Sequence, residues 1–216
     1  MKRVFVIVTL AFVLFACSKE RINGNGTVVT ESRNQSNFTG IKASGSSAVL
    51  ITQGAAFKVE VKGSSNLIPY YETKIVNNVL EVGYKNNVNV KNDNIQVLIT
   101  MPTLTSLSLH GSGNISSSGV FAGNTDFNAY IAGSGNINFS SGTTQNFNST
   151  ITGSGNIYAI NMVADKAESE ITGSGSTEIT ATTNLKVKIT GSGNVYYHGT
   201  PVITSTISGS GAVIPK

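Results

Sequence analysis

The segment Ile151-Thr152-Gly153-Ser154-Gly155-Asn156-Ile157 decides the fold, because versions of it recur throughout the second half of the chain. Gly-Ser-Gly occurs six times, always two residues after a Leu or Ile, and successive copies are 22, 20, 20, 18 and 18 residues apart. The copies begin at Gly111, Gly133, Gly153, Gly173, Gly191 and Gly209. A period of this length is typical of a solenoid, in which each coil buries its apolar face against its neighbours.

Apolar and polar residues alternate on both sides of each Gly-Ser-Gly corner. Phe147, Ile151 and Ile157 are apolar, and the residues between them are mostly polar or small. Alternation with a period of two predicts strand, corner and strand, with alternate side chains pointing inward. The sequence therefore predicts an all-β, single-domain, right-handed parallel β-helix with coils of about 18–22 residues. Its buried column is predicted to contain Ile131, Ile151, Ile171 and Ile189, with Phe127 stacked on Phe147.

The corner residues are interpreted as structural. Glycine reaches positive φ without a Cβ penalty, which suits a corner repeated in every coil. Four corners continue with asparagine, and stacked asparagines are predicted to form a ladder; a polar recognition strip is the alternative. These asparagines are Asn114, Asn136, Asn156 and Asn194. Calcium-binding nonapeptide repeats need an aspartate in every turn, so no metal site is predicted here.

Two neighbouring repeats predict a ladder of opposite charges. Glu168 and Glu170 precede Gly173 by five and three residues, and Lys186 and Lys188 precede Gly191 by the same distances. If the coils stack in register, Glu168 faces Lys186 and Glu170 faces Lys188 on the outer surface.

The first half of the chain is less regular. Ser44-Gly45-Ser46 resembles a degenerate corner, and Asn77-Asn78 between two alternating runs predicts a hairpin turn. Pro102 is predicted to mark the entry into the repeats. We expect a tether over 17–37, early coils and an N-terminal cap over 38–102, and repeat coils over 103–216 that continue the same core.

The N-terminus has the pattern of an export signal. Lys2 and Arg3 precede an apolar run over 4–16, which is too short for a comfortable membrane span, and Cys17, the only cysteine, follows. Residues 1–16 are therefore predicted to be a lipoprotein signal peptide and Cys17 the lipidated residue; an ordinary secretory signal is the alternative. The lipid would anchor the exported protein in the outer membrane, as Ser18 favours, facing the periplasm or the cell surface.

Charge argues against nucleic acid as a partner. The chain has 15 basic and 11 acidic residues, and removing 1–16 removes two basic ones, which leaves 13 against 11. No basic stripe of the kind that nucleic acid requires is present.

Several segments together resemble a known family, the head GIN domain. They are the lipoprotein-like start, Ser44-Gly45-Ser46, Asn66-Leu67-Ile68-Pro69 and Leu98-Ile99-Thr100-Met101-Pro102 ahead of repeated Gly-Ser-Gly-Asn. The resemblance covers roughly residues 38–214. It implies a parallel β-helix similar to pectin lyases, an adhesin-like role and no transferable catalytic residues. The chain departs from the pattern at Ser176-Thr177 and Ala212, where the corner asparagine is missing.

The sequence contains few residues that are suited to acid–base catalysis. The only aspartates, Asp93, Asp126 and Asp165, are far apart in sequence, and His110 and His198 occupy non-equivalent repeat positions. Polysaccharide-cleaving β-helices need clustered carboxylates. No catalytic residue and no cofactor is therefore predicted, and a polysaccharide-cleaving enzyme is the least favoured hypothesis.

A candidate binding face lies after the corners. Tyr158 and Tyr196 share one outward repeat position with Glu178 between them, so the two rings are expected about 10 Å apart. We predict a non-enzymatic cell-envelope lipoprotein, an adhesin or structural protein that contacts a glycan or an envelope protein. A carbohydrate-binding module and a periplasm-facing scaffold or signalling lipoprotein are the alternatives.

Overall fold

The computed structural model describes residues 21–216. Its strands in the first half are β1 (Arg21–Asn23), β2 (Val28–Arg33), β3 (Gly40–Gly45), β4 (Ala48–Gln53), β5 (Lys58–Ser64), β6 (Tyr71–Val76), β7 (Val79–Tyr84), β8 (Asn89–Lys91) and β9 (Gln96–Met101), with a 3-10 turn at Ile68–Tyr70. The second half contains β10 (Ser106–Gly111), β11 (Asn114–Ser118), β12 (Phe121–Gly133), β13 (Asn136–Asn138), β14 (Gly142–Gly153), β15 (Asn156–Gly173), β16 (Ser176–Gly191), β17 (Asn194–His198), β18 (Val202–Gly209) and β19 (Ala212–Pro215).

The repeats stack in register as a parallel β-solenoid. Each corner glycine pairs with the glycine one repeat later, as Gly133 does with Gly153 and Gly153 with Gly173. Gly45 stacks on Gly111 in the same way, so the degenerate corner begins the column. The predicted fold class, an all-β single-domain solenoid with Gly-Ser-Gly corners, is confirmed.

The interior is the predicted column. The side chains of Ile131, Ile151 and Ile171 are 0% exposed and that of Ile189 is 1% exposed. The rings of Phe127 and Phe147 are stacked, with centroids 6.0 Å apart and an interplanar angle of 10°. A buried polar pair lies among these apolar side chains, because the hydroxyl of Ser149 donates to that of Ser169 at 2.9 Å.

The two glycines of each corner serve different purposes. Gly153 has φ +126°, a conformation that L side chains rarely adopt, whereas Gly155 has no positive φ. A Cβ would collide with a carbonyl oxygen of the neighbouring coil at both positions, that of Gly133 for Gly153 and that of Gly135 for Gly155, so close approach is the only one of the two requirements that applies to Gly155. The backbone N–H groups of Ser154 and Gly155 both donate to the Gly133 carbonyl, at 3.0 and 3.1 Å. The second glycine is thus required by close approach of the coils, which the sequence interpretation did not include.

The asparagine ladder is discontinuous. Asn156 Nδ2 donates to Asn136 Oδ1 at 3.0 Å, but no side-chain bond joins Asn114 to Asn136 within the described residues. Where the next asparagine is missing, the backbone replaces it: the N–H of Ser176 donates to Asn156 Oδ1 and that of Ala212 to Asn194 Oδ1, each at 3.0 Å. The side chains of Asn136, Asn156 and Asn194 thus form hydrogen bonds between neighbouring corners, whereas that of Asn114 does not among the described residues.

The order of coils in space differs from their order in sequence at the N-terminal end. On the face before the corners the order is β6, β7, β3, β10, and on the face after them it is β2, β5, β9, β4, β11. The coil of β7 and β9 therefore lies outside the earlier coil of β3 and β4. Strand β6 pairs antiparallel with β7 through the predicted hairpin, in which Asn77 and Asn78 have positive φ.

Antiparallel strands close this end of the solenoid. Strand β5 pairs antiparallel with β9, and β2 pairs antiparallel with β5. The segment 17–37, predicted as a tether, thus contains a strand of the main sheet at 28–33 as well as β1, which pairs with β8. The difference arises because the outer edge of β5 offers unpaired backbone groups, which an extended segment can satisfy.

Asp93 closes the corner of the coil that lacks Gly-Ser-Gly. Its carboxylate accepts hydrogen bonds from the hydroxyl of Tyr84 at 2.6 Å, the backbone N–H of Ile95 at 3.0 Å and the hydroxyl of Ser46 at 3.2 Å. Burial, and then the carboxylate of Asp93, raise the pKa of Tyr84, so this phenol stays protonated and continues to donate.

Candidate binding surface

The structure brings the three residues of the candidate binding face together. Tyr158 pairs with Glu178, and Glu178 pairs with Tyr196, in three successive parallel strands. Their side chains point outward, because the residues that flank them are directed into the core: Ile157 and Ala159 on either side of Tyr158 are buried, as is Val195 before Tyr196. We call the row of Tyr158, Glu178 and Tyr196, together with Lys216, the tyrosine row.

Lys216 belongs to this row, although the sequence interpretation did not include it. Its ammonium forms an ion pair of 2.8 Å with Glu178 and lies 6.0 Å from the centroid of the Tyr196 ring. The second distance is at the limit of a cation–π contact. Counting repeat positions places Lys216 two residues beyond the row, but only the structure shows its long side chain reaching back across Tyr196.

Lys216 makes the two halves of the row unequal. The side chain of Glu178 is only 16% exposed and Tyr196 is half-buried, whereas Tyr158 is 39% exposed. The most accessible aromatic face is therefore Tyr158, next to a carboxylate whose charge Lys216 balances. The row lies on strands whose inward side chains are fixed in the core, and a site on such elements is rigid.

The predicted charge ladder is confirmed on the strands before the corners. Lys186 Nζ lies 2.8 Å from Glu168 Oε1 and Lys188 Nζ lies 2.6 Å from Glu170 Oε1. The hydrogen bond that Lys186 donates to Glu168 raises the pKa of Lys186. Because these side chains are largely exposed, each pair contributes little to stability, and the ladder acts mainly on register.

A shallow polar groove of about 310 Å³ adjoins the ladder. Several of its polar side chains are already hydrogen-bonded: Asn146 donates to Asp126 at 3.0 Å, and Asn148 donates to the neighbouring Asn128 at 3.2 Å. A ligand would have to replace these bonds, so the groove is a weaker candidate than the tyrosine row.

The three aspartates lie apart in the structure. Asp93 closes the cap corner, Asp126 is bonded to Asn146, and Asp165 lies 3.5 Å from the hydroxyl of Thr182. Among residues 21–216, no three His, Cys, Asp or Glu side chains form a group that could hold a metal ion. His110 contacts Ser108 at 3.1 Å; burial, followed by the charge of Lys42, lowers its pKa.

A cluster of ion pairs lies near His110. Glu81 accepts from Lys42 at 3.0 Å and pairs with Lys74 at 3.3 Å. The hydrogen bond from Lys42 is the main reason that the pKa of Glu81 is lowered. A carboxylate held ionised between two lysines is a poor proton donor, so the cluster is better explained as part of the cap.

Cys17 and the predicted signal peptide over 1–16 lie outside the described residues. Within 21–216, no helix has the length and apolar character needed to cross a membrane.

Solved structures of similar proteins share this fold. A putative adhesin from Bacteroides fragilis is 22% identical, with a TM-score of 0.76 over 90% of this chain and 100% of that one. A putative lipid binding protein from Parabacteroides distasonis is 25% identical (TM-score 0.61, covering 91% and 100%). A putative adhesin from Parabacteroides merdae is 25% identical (TM-score 0.56, covering 91% and 99%). None of these names describes an enzyme.

The curated proteins include no significant match to this sequence. A family model does match it, over residues 37–201, from just before β3 to just before β18. This range contains most of the cap and all but the last corner of the solenoid. The chain therefore belongs to the family described as "Putative auto-transporter adhesin, head GIN domain".

Proposed function

We propose that this protein is a non-enzymatic, lipid-anchored lipoprotein of the cell envelope whose solenoid binds glycans through the tyrosine row. The observation that carries the proposal is the alignment of Tyr158, Glu178 and Tyr196 on one outer row of three adjacent coils. The adhesin description of the family supports an exported, surface-exposed role.

The chemistry of the row suits a sugar better than a charged polymer. An accessible tyrosine ring offers an apolar face and a hydroxyl. The Glu178–Lys216 pair presents one acceptor group and one donor group with no net charge. Such a surface can stack on a pyranose face and hydrogen-bond its hydroxyls. The rings of adjacent-but-one strands, about 10 Å apart, match an extended ligand that lies along the stacking axis.

The topology supports an anchor at the capped end. Strand β1, the first strand of the described residues, begins at Arg21 and pairs with β8 in the cap. A lipid on Cys17 would be four residues from Arg21. Bacterial lipoproteins of this type carry several acyl chains, and more than one chain is needed for firm anchoring. The tyrosine row, which lies in the last coils, would then be held away from the membrane.

The anchor can be tested with Cys17→Ser. Without the acylated thiol we expect the exported protein to move from the membrane fraction to the soluble fraction and to lose incorporation of a labelled fatty acid. Ser18→Ala keeps the thiol and serves as the matched control. Continued membrane association of Cys17→Ser after export would contradict lipid anchoring.

The binding face can be tested with Tyr158→Ala. On a glycan array and then by titration with the best glycan, this variant should bind at least about tenfold more weakly, equivalent to roughly 1.4 kcal/mol. Its thermal stability should change little, because the ring is solvent-exposed. Combining it with Tyr196→Ala should weaken binding further.

Tyr130→Ala is the matched control, since Tyr130 is an outward tyrosine on the strands before the corners. Unchanged affinity in the Tyr158→Ala, Tyr196→Ala double variant would exclude the tyrosine row as the site. Capture of an envelope protein through the same row would replace glycan by protein as the partner, and turnover of an oligosaccharide would indicate an enzyme.

A further inference from the structure

The coil of β18 and β19 is the outermost coil among the described residues. Within residues 21–216, each of its strands pairs on one side only, β18 with β16 and β19 with β17. Ile203 and Ile207 occupy the inward positions that are buried in other coils, yet each is 39% exposed. This end therefore presents unpaired backbone groups beside the uncovered top of the apolar core.

The two ends of the solenoid carry different amounts of charge. At the capped end the edge strands contain Glu31, Arg33, Glu72 and Lys74. Strands β18 and β19, Val-Ile-Thr-Ser-Thr-Ile-Ser-Gly and Ala-Val-Ile-Pro, contain no charged residue. Charged side chains are one of the means by which proteins prevent edge strands from pairing. The capped end has this protection and the outermost coil lacks it.

From this contrast we infer that the outermost coil docks on the same coil of a second copy, with the β18 strands paired antiparallel about a two-fold axis. Residues directly opposite in an antiparallel pair point to the same face of the sheet. With the axis through Ser205, Ile203 of each copy lies opposite Ile207 of the other. The serines face each other at the centre, where their small side chains leave room for the four isoleucines.

The neighbouring two-fold registers are less favourable. An axis through Thr206 would place Ile203 opposite Gly209 and Ile207 opposite Ser205, which separates the isoleucines. An axis between two residues would place inward side chains opposite outward ones, because the side-chain period is two. The spacing of Ile203 and Ile207 around Ser205 thus selects one register.

Backbone hydrogen bonds add to the apolar contact. A strand of eight residues paired with itself makes about eight main-chain bonds, close to the roughly ten direct hydrogen bonds of a typical interface. Because β18 and β19 contain no charged residue, their pairing places no like charges directly opposite each other. Because the opposite end is capped, this isologous contact closes at two copies and does not propagate.

The dimer has a consequence for the orientation of the chains. Arg21 lies in the cap, so the Arg21 residues of the two copies are at opposite ends of the paired solenoids. If the lipid anchor of the proposed function holds, such a dimer would connect two separate membranes. Only the connection of two membranes rests on the proposed function. The dimer itself can be tested with the soluble Cys17→Ser chain, which needs no lipid. The dimer could therefore fail its test while the lipid anchor holds, and the anchor could fail while the dimer holds.

Sedimentation equilibrium of Cys17→Ser from low micromolar to submillimolar concentration is expected to show a reversible monomer–dimer equilibrium. Adding Ile207→Glu, which places a charge at the apolar contact, should raise the dimer dissociation constant at least about tenfold. Thr206→Glu places the same charge on the outer face beside Lys188 and should leave the constant nearly unchanged. Thermal melting of both variants checks that the monomers are folded.

Cross-linking tests the register. In the same background, Ser205→Cys should form a disulfide-linked dimer under mild oxidation, because the two thiols meet on the axis. Thr204→Cys should not, since each thiol lies opposite Thr206 of the other copy. A monomer at all concentrations would overturn the inference, as would a dimer in which Thr204→Cys cross-links as readily as Ser205→Cys.

Discussion

Replacing Gly153 by alanine should lower the free energy of unfolding by more than about 3 kcal/mol, the upper value for a single strained backbone residue. Two costs combine at this position. Gly153 has φ +126°, and a Cβ there would collide with the carbonyl oxygen of Gly133 in the coil before it. That carbonyl accepts the N–H groups of Ser154 and Gly155, so it cannot move without loosening both bonds.

Two matched variants separate the cost of positive φ from the cost of the collision between a Cβ and the neighbouring coil. Gly45→Ala is at the same corner position, with φ +106°, but a Cβ there meets nothing within 4 Å, so only the strain of about 1–3 kcal/mol should remain. Gly155→Ala tests the close approach of neighbouring coils at a residue whose φ is not positive. Urea denaturation followed by circular dichroism gives the free energies. If Gly153→Ala cost no more than Gly45→Ala, contact between coils would not be what requires glycine.

The second large effect is expected at Ile151. Its side chain is 0% exposed between Ile131 and Ile171, so Ile151→Ala should destabilise the protein by about 2–5 kcal/mol. Ile151→Asp would place a charge in the same column and should unfold several coils together, because each coil depends on its neighbours.

Thr152→Ala is the control, since Thr152 is the adjacent exposed residue and its substitution should cost under about 0.5 kcal/mol. Thr150, the neighbour on the other side of Ile151, is half-buried and therefore less suitable as a control. Hydrogen exchange of Ile151→Ala should show lost protection in the adjoining coils as one unit. Equal stability of Ile151→Ala and Thr152→Ala would mean that the inner and outer faces are reversed.

The stacking order in the second half of the chain could be predicted because each repeat contains the residues that fix its alignment with the next coil. The corner glycines align, and the period of two then determines which side chains are inward. The pairing of Glu168 with Lys186, and the row of Tyr158, Glu178 and Tyr196, follow from counting alone. The ligand of the tyrosine row cannot be predicted from the repeat spacing, because outward residues at the same positions can equally form an ordinary solvent-exposed surface.

The sequence by itself determined the all-β solenoid, its corners and its inner and outer faces, because these depend on local periodicity that every coil repeats. Only the tertiary structure decided the placement of the coil of β7 and β9 outside that of β3 and β4, and the closing of this end by β2. It also decided the contact of Lys216 with Glu178 and the exposure of Ile203 and Ile207. These features depend on which strand edges remain unpaired once the coils have stacked and on where long side chains reach, and neither is encoded in the spacing of a repeat.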